Sequence, residues 1–466
     1  MRPSEPLERR TLAELEAILG AEALLTAPAD CWPYGYDNSR RHALPQAVAL
    51  VADVAQIQPL VALCNREGLP LVARGRGTGT TGATVPDRGG LVLSCERLDR
   101  ILRIDPANRL AIVEPGVTNL ALQQALAPLG FFWPPDPTSA ATCTVGGNLA
   151  CNAAGPRAVK YGTPRENTLG LRAVTGAGEA LTAGVLTTKG VVGYDLTRLI
   201  IGSEGTLAVI TQAILKLTPL AEAKRTLRAS YTDIHAAASA VSTIMAQPVT
   251  PCALEFLDGS SIAMARHVAD LGLPTATGAL VMIEVDGPAH GIDEAAAEVA
   301  RAAGHPGLLE LKIAASATEV ADLWRTRTAL SPALRQIAPK KINEDVVVPV
   351  SRLGTFIEGV DRLGREHAIR IVNFGHAGNG NIHVNLLVNP DDPAEMARAD
   401  TCLDAIFSLV LTLEGTLSGE HGVGLVKRDF VHRELDAVSL GLMHGIKRQF
   451  DPKGILNPGK TLPPWP

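Results

Sequence analysis

The chain has 466 residues, 46% hydrophobic and 20% charged, a normal globular balance in a length that predicts two or three domains rather than one core. A net charge of −5 and a pI near 6.1 give no electrostatic reason to expect nucleic acid or an anionic membrane surface. The longest apolar runs, such as "AVALVADVA" and "LVLTL", fall short of the roughly 20 residues that a bilayer span needs, so no transmembrane segment is expected.

In chain order, "MRPSEPLERRTLAELEAILG" lacks a signal-type core and reads as a helix, with Thr11 and Glu14 as a capping box and Leu12, Leu15, Ile18 and Leu19 on one face. "AVALVA" (47–52) is a strand. Asp53 caps a helix whose apolar face is Ile57, Leu60, Val61 and Cys64, and Gly68 ends it. "LPLVAR" is a second strand, so residues 47–74 make a βαβ unit. In "RGRGTGTTGATVPDRGG" (74–90), Gly77, Gly79 and Gly82 satisfy G-x-G-x-x-G. That fingerprint needs a helix to begin within it, and the β-branched, prolyl "ATVP" starts none. What remains is either a loop whose amides wrap a diphosphate or an ordinary glycine-rich turn.

"PPDPTSAATCTVGGNLACNAAGPRAVKYG" (134–162) is neither charged enough for a solvated tail nor periodic enough for a helix; its small residues let backbone approach something flat. "GYDLTRLIIGSEGTLAVITQAILKL" (193–217) ends in an alternating strand after the turn "GSEGT". Three small-residue segments, each beside a strand, suggest one extended cofactor lying across a domain. From residue 221 to about 412, Ala-rich helical stretches such as "DEAAAEVARAAG" alternate with strands such as "GALVMIEVDG", an α+β pattern. The seven cysteines form no CxxC pair, which suggests reduced thiols in a cytoplasmic protein and no iron–sulfur cluster of its own.

"IRIVNFGH" (369–376) and "NIHVNLLV" (381–388) alternate and flank a glycine–asparagine turn, which predicts a hairpin. His383 and Asn385 share one face of its second strand, and His376 can lie beside His383 at the mouth. Two imidazoles there suit a divalent metal that also wants an oxygen, and Glu420, next to His421 in the glycine-bracketed "GTLSGEHGVG" (415–424), can supply one. The bland alternative is a hairpin's polar face and a surface loop.

"RGRGTGTTG", "DPTSAATCTVGGNLACNAAG", "KYGTPRENTLGL" and "GYDLTRLIIGSEGTLAVIT" together resemble the flavin-binding domain of the vanillyl-alcohol oxidase superfamily. The resemblance is closest to the branch of D-lactate dehydrogenases, D-2-hydroxyglutarate dehydrogenases and the glycolate oxidase flavin subunit, and runs from about residue 40 to "FDPKGILNPGK" (450–460). It implies an α+β fold: a two-subdomain FAD-binding domain with an α+β cap. The FAD-binding part would span 1–220, the cap with its hairpin 221–412, and the segment 413–466 would return to the FAD domain.

By the resemblance, Arg74, Gly75, Arg76, Gly77, Thr78, Gly79 and Gly82 would hold the FAD pyrophosphate region. Pro137, Thr138, Ser139, Gly146, Gly147, Asn152, Tyr161, Gly162, Glu204, Gly205, Ile210 and Asn457 would line or approach the rest of the cofactor. No histidine occurs in 74–82, so the FAD is expected to be non-covalent. The family's H-x-G-D-G-N-x-H and G-E-H-G motifs assign His376, His383 and Glu420 to zinc or manganese and His421 to the catalytic base; Asn379 stands where an Asp is usual. Arg327 resembles the arginine that grips the substrate carboxylate during catalysis, with Ser331, Lys341 and Asn385 as further substrate contacts. D-2-hydroxyglutarate relatives carry a lysine at the position of Asn343, which argues for a smaller acid such as D-lactate or glycolate.

The implied reaction oxidises a D-2-hydroxy acid to the 2-oxo acid by hydride transfer from Cα to flavin N5. Electrons would then pass to a quinone, a cytochrome or an electron-transfer flavoprotein. The expected setting is the cytoplasm, with peripheral attachment to the inner membrane left open. A homodimer is compatible with the reading, and so is an assembly subunit of the glycolate oxidase type.

Overall fold

The computed structural model describes residues 6–267, 269–324 and 339–464. Contacts divide the chain into two compact units. One comprises Met1–Gly155, Gly162–Leu220 and Glu420–Pro466; the other comprises Pro156–Tyr161 and Ala221–Gly419.

The first unit begins with a helix over Arg9–Leu19 that buries Thr11, Leu15 and Leu19. Its N-cap is Glu8 and makes no side-chain capping bond, so the expected Thr11–Glu14 capping box does not form. Arg9 and Arg10 are good helix formers that extend the helix beyond Thr11, and Glu14 pairs instead with Arg10 and Arg66. Strands β1 (Leu24–Leu25), β2 (Ala47–Leu50), β3 (Leu71–Arg74) and β4 (Leu91–Ser94) form a sheet in the order β1-β2-β4-β3. Both β2 and β3 run parallel to β4, and the helix Ile57–Glu67 crosses between them, so the βαβ unit forms with β4 inserted at its centre. Asp53 makes a capping box with Gln56, Gly68 closes the helix at φ 63°, and Ile57, Leu60, Val61 and Cys64 are fully buried.

A second sheet follows. Of β5 (Ile101–Asp105), β6 (Leu110–Val113), β7 (Phe131–Phe132), β8 (Thr168–Thr175), β9 (Ala180–Gly184), β10 (Ala208–Lys216) and β11 (Thr218–Pro219), five pair antiparallel as β5-β6-β10-β8-β9, while β7 pairs with β11. The predicted alternation of β10 is replaced by burial at seven of its nine positions, because it is the central strand.

Residues Val145–Cys151, expected to be non-helical, form a helix. Thr144 caps it by accepting the N–H of Gly147 (3.2 Å), and Gly146 is there because a Cβ would lie 2.6 Å from Pro115 Cβ. The cap and the close packing outweigh two poor helix formers.

The second unit is built on a seven-stranded sheet. Its strands are β12 (Ala223–Tyr231), β13 (Ala253–Asp258), β14 (Ala279–Gly287), β15 (Leu308–Ile313), β16 (Lys340–Val347), β17 (Arg370–His376) and β18 (Asn381–Val388). They pair antiparallel throughout in the order β15-β12-β14-β13-β17-β18-β16. The Ala-rich stretches form helices Ile234–Ala246, Ile292–Ala302 and Pro393–Thr412, which pack on the sheet together with Leu353–Glu366. The predicted hairpin is β17–β18, and Gly380 reverses it at φ 70°. All eight positions of β18 are buried, so its alternation separates two covered faces rather than core from solvent.

The excursion Pro156–Tyr161 carries a helical turn, Ala158–Tyr161. Lys160 Nζ reaches Asp286 O and Oδ1 (2.6 and 2.5 Å), and Tyr161 donates to Asp286 Oδ2 (2.8 Å). Val159 packs so closely on the hairpin turn that a Cβ on Gly378 would lie 2.5 Å from its Cγ2.

Candidate functional site

In the first unit, the ends of β3 and β10 and the helix Val145–Cys151 wall a cavity. Its lining includes Arg74, Gly75, Thr144, Gly146, Gly147, Glu204, Gly205 and Ile210. Seven of the expected cofactor residues are thus brought together. Thr144, Cys95, Pro115 and Ser203 join them without having been anticipated. Thr144 carried one readable signal, a hydroxyl three residues before a glycine in a small-residue run.

Among the described residues no helix begins between Arg74 and β4, so the glycine loop is not a dinucleotide fingerprint. Arg74 is buried, and its guanidinium donates to Tyr36 O (2.7 Å), Thr84 Oγ1 (3.2 Å) and Pro33 O (3.3 Å). Burial lowers its pKa. Gly77, at φ 64°, leaves room for that guanidinium because it has no Cβ; one built there would lie 2.2 Å from Arg74 Nη2. Thr78 and Gly79 bond through their carbonyls to Asn38. Gly82 lies against Leu425, and Thr81 O accepts the N–H of Leu425 (2.8 Å).

Other expected cofactor residues serve structural ends here. Arg76 ion-pairs with Glu96 at 3.4 Å. Pro137 and Ser139 carbonyls close the turns over 137–143. Asn152, at φ 52°, accepts Thr163 Oγ1 and Arg165 N–H, and Gly162 adopts φ 79° beside Glu166. Tyr161 lies in the second unit on Asp286.

Glu204 is tightly constrained. It is buried at φ 53°, and its carboxylate accepts the N–H groups of Val423 and Gly424 (the latter at 2.8 Å) and the hydroxyl of Thr461 (3.1 Å). Burial pushes its pKa up against those bonds. Asn457 Nδ2 ties Ala83 O (2.8 Å) to Glu204 O (2.7 Å), and its Oδ1 accepts the buried Lys460 (2.9 Å). This network holds the segment that follows His421, and Thr81 Oγ1 reaches His421 O at 3.4 Å. Glu420 accepts the N–H of Gly155 at 2.7 Å.

In the second unit the register builds a row of polar side chains on one sheet face. Glu255 of β13 stands opposite His376 of β17, His376 opposite Asn381 of β18, and His383 opposite Asp345 of β16. The imidazoles of His376 and His383 meet edge to face with ring centres 5.2 Å apart. Asp345 accepts the N–H of Gly419 (2.8 Å) and the Ser418 hydroxyl (3.3 Å), which fixes the chain just ahead of Glu420. One ligand atom each from His376, His383 and Glu420 lies within 4.8 Å of the others. Two borderline nitrogens and a hard oxygen at that spacing suit a first-row divalent ion. Asn385 donates to Val372 O and His383 O, and its buried Oδ1 has no partner among the described residues. Lys341 lies exposed on β16. Arg327 and Ser331 lie outside the described residues.

Residues 45–184 match a family model described as "FAD binding domain", and residues 220–461 match "FAD linked oxidases, C-terminal domain". The chain belongs to the FAD-linked oxidase family. Within it, the chain is 36% identical over 450 residues to the glycolate oxidase subunit GlcD of Bacillus subtilis, covering 96% of each. It is 32% identical over 429 residues to a D-lactate dehydrogenase of Anaerostipes hadrus, covering 90% of each. A D-2-hydroxyglutarate dehydrogenase of Xanthomonas citri is 32% identical over 468 residues, covering 97% of this chain and 96% of the relative. Among solved structures, 4-ethylphenol oxidase from Gulosibacter chungangensis superposes with a TM-score of 0.79, covering 99% of each chain at 17% identity, a likeness of fold alone. This FAD-linked oxidase therefore has the vanillyl-alcohol oxidase type of flavin-binding fold and is an oxidoreductase of the D-lactate, D-2-hydroxyglutarate and glycolate oxidase branch. No helix among its described residues is long and apolar enough to cross a membrane.

Proposed function

We propose that the chain is an FAD- and divalent-metal-dependent dehydrogenase of a D-2-hydroxy acid, with D-lactate as its best substrate. The observation that carries the reading is the convergence of His376, His383 and Glu420, a donor set of the right chemistry for zinc or manganese. Their burial argues the same way, because both histidines are buried and a paired imidazole face has little reason to sit there otherwise. The cavity lined by Gly75, Gly146, Gly147 and Gly205 suits non-covalent FAD, since added side chains at Gly75 and Gly146 would collide with Thr144 and Pro115.

When bound, the flavin supplies the hydride acceptor and the metal acidifies the chelated 2-hydroxyl. The chain's own groups do the rest. Arg327 binds the substrate carboxylate, for which a bidentate guanidinium is suited. His421 takes the hydroxyl proton, as imidazole can near neutral pH. Glu204 and Asn457 hold the loop that carries it. Electrons leave to a quinone, a cytochrome or an electron-transfer flavoprotein.

Asn343, opposite Asn385 across β16 and β18, presents a neutral amide on the site face. That favours an acid without a distal carboxylate, and Asn343→Lys is expected to move selectivity toward D-2-hydroxyglutarate by at least tenfold in kcat/KM, about 1.4 kcal/mol. The relatives named glycolate oxidase subunits favour a second reading, in which glycolate is the substrate and partner subunits accept the electrons.

The test is anaerobic addition of D-lactate, glycolate and D-2-hydroxyglutarate to the purified yellow protein, with and without prior chelation. Bleaching of the flavin band by D-lactate, lost on chelation and restored by zinc or manganese, is the expected result. Bleaching indifferent to chelation would overturn the metal role. Bleaching by glycolate alone would move the reading to the second.

A further inference from the structure

We propose that Glu255 is a positioning residue for His376, fixing which imidazole nitrogen is presented to the metal. The inference rests on the metal-dependent reading above and deepens it.

Glu255 occupies β13, "ALEFLD", a strand buried at all six of its positions. An acid in such a strand is costly to fold unless a partner compensates it, and an apolar residue would serve the sheet better. The register sets it directly across from His376 on the same face. Its Oε1 lies 2.5 Å from His376 Nδ1.

A carboxylate accepts and cannot donate, so this contact places the imidazole proton on Nδ1 and leaves the Nε2 lone pair for a metal. The anion also makes the imidazole a stronger donor, as carboxylates behind metal-bound histidines do. Asp345, opposite His383, accepts Gly419 N–H and the Ser418 hydroxyl and so positions the backbone leading to Glu420.

The experiment measures metal affinity directly. The protein, stripped of metal but retaining flavin, is titrated with Co²⁺ and Zn²⁺ by calorimetry and by the cobalt absorption bands. Glu255→Gln keeps the shape, but its amide can offer a hydrogen to Nδ1 and drive the proton to Nε2. The dissociation constant is expected to rise about ten- to hundredfold, with the flavin spectrum unchanged. In a His376→Ala background the same substitution should add almost nothing, since Glu255 would have nothing left to act through. Unchanged affinity in Glu255→Gln, or a loss that persists undiminished in His376→Ala, would overturn the proposal. If Glu255→Gln fails to fold, Glu255→Asp takes its place; it pulls the carboxylate back by one methylene and should weaken binding, and wild-type affinity would again overturn the proposal. A wild type that binds neither ion defeats the metal reading itself, a result distinct from a wild type that binds and a variant that matches it.

Discussion

In the first unit the cavity is lined mostly by glycine, alanine and other small residues, and several non-glycine residues of that unit hold left-handed backbone; in the second the polar row is side chains standing off a regular sheet. Asn152, Glu204, Asn457 and Thr461 all carry positive φ in the first unit, at 52°, 53°, 41° and 67°. The second unit's site residues, His376, His383, Asn385 and Asp345, lie in unbroken antiparallel register. A large planar cofactor is suited by close, side-chain-free approach, and glycines with strained neighbours provide it. A small ion is suited by a few donors at set distances, and a sheet supplies those through its two-residue period. Substitutions should therefore do damage by different routes in the two units.

The largest effect is expected where a donor itself is removed. His383→Ala takes one imidazole from a row in which His376 lies 5.2 Å away. If the metal reading holds, kcat/KM should fall about 10³-fold, the scale of the several kcal/mol that metal assistance contributes, while flavin content stays at the wild-type ratio. A fall in flavin content would break the separation drawn between the two units.

Gly146→Ala tests the opposite case. A Cβ there would lie 2.6 Å from Pro115 Cβ and 2.9 Å from its carbonyl oxygen, both rigid. Overpacking of about 1–3 kcal/mol is expected, read as a lower melting temperature and as flavin lost during gel filtration. Metal affinity should not change.

This contrast also separates what the sequence made legible from what it hid. The hairpin could be read because alternation and a glycine–asparagine turn fix register locally, and His376 and His383 follow from it. The helix Val145–Cys151 could not, because Gly146 and Gly147 argue against a helix and only the tertiary fit to Pro115 explains Gly146. Glu255 was hidden for another reason: it meets His376 across 121 residues of sequence, and no local pattern reports a cross-strand partner that distant. One signal was present, an acid inside the apolar strand "ALEFLD". The excursion 156–161 into the second unit left no mark, since Lys160 and Tyr161 find Asp286 only in the fold.

Glu204→Gln probes the loop clamp. An amide nitrogen would replace one oxygen that now faces Val423 or Gly424 N–H, setting two donors against each other in a buried place. Such a mismatch costs about 1–3 kcal/mol. If His421 is the base as proposed, the expected outcome is a lower melting temperature and a kcat reduced about tenfold with KM little changed, since the loop would then hold the base rather than the substrate.

The effect furthest from turnover concerns Asp258, the buried cap of the helix Gly259–Arg266, which accepts Ser261 N–H (2.6 Å) and both Asn373 N–H and Nδ2 (2.9 Å each). Burial raises its pKa from 3.8 to about 6 despite those bonds. Between those values the native chain holds a proton that the unfolded chain has released, so this group's contribution makes stability fall as pH rises from about 4 through about 6 and level off above. The full drop is at most about 3 kcal/mol. Asp258→Asn should be less stable overall, since an amide faces Asn373 N–H, yet its melting temperature relative to wild type should climb across the same window. A parallel pair of melting curves from pH 4 to 7 would show that Asp258 is ionised throughout, its hydrogen bonds having outweighed its burial. It would then behave like an ordinary helix cap, with its side-chain bonds rather than its desolvation setting the local energetics of the regular sheet.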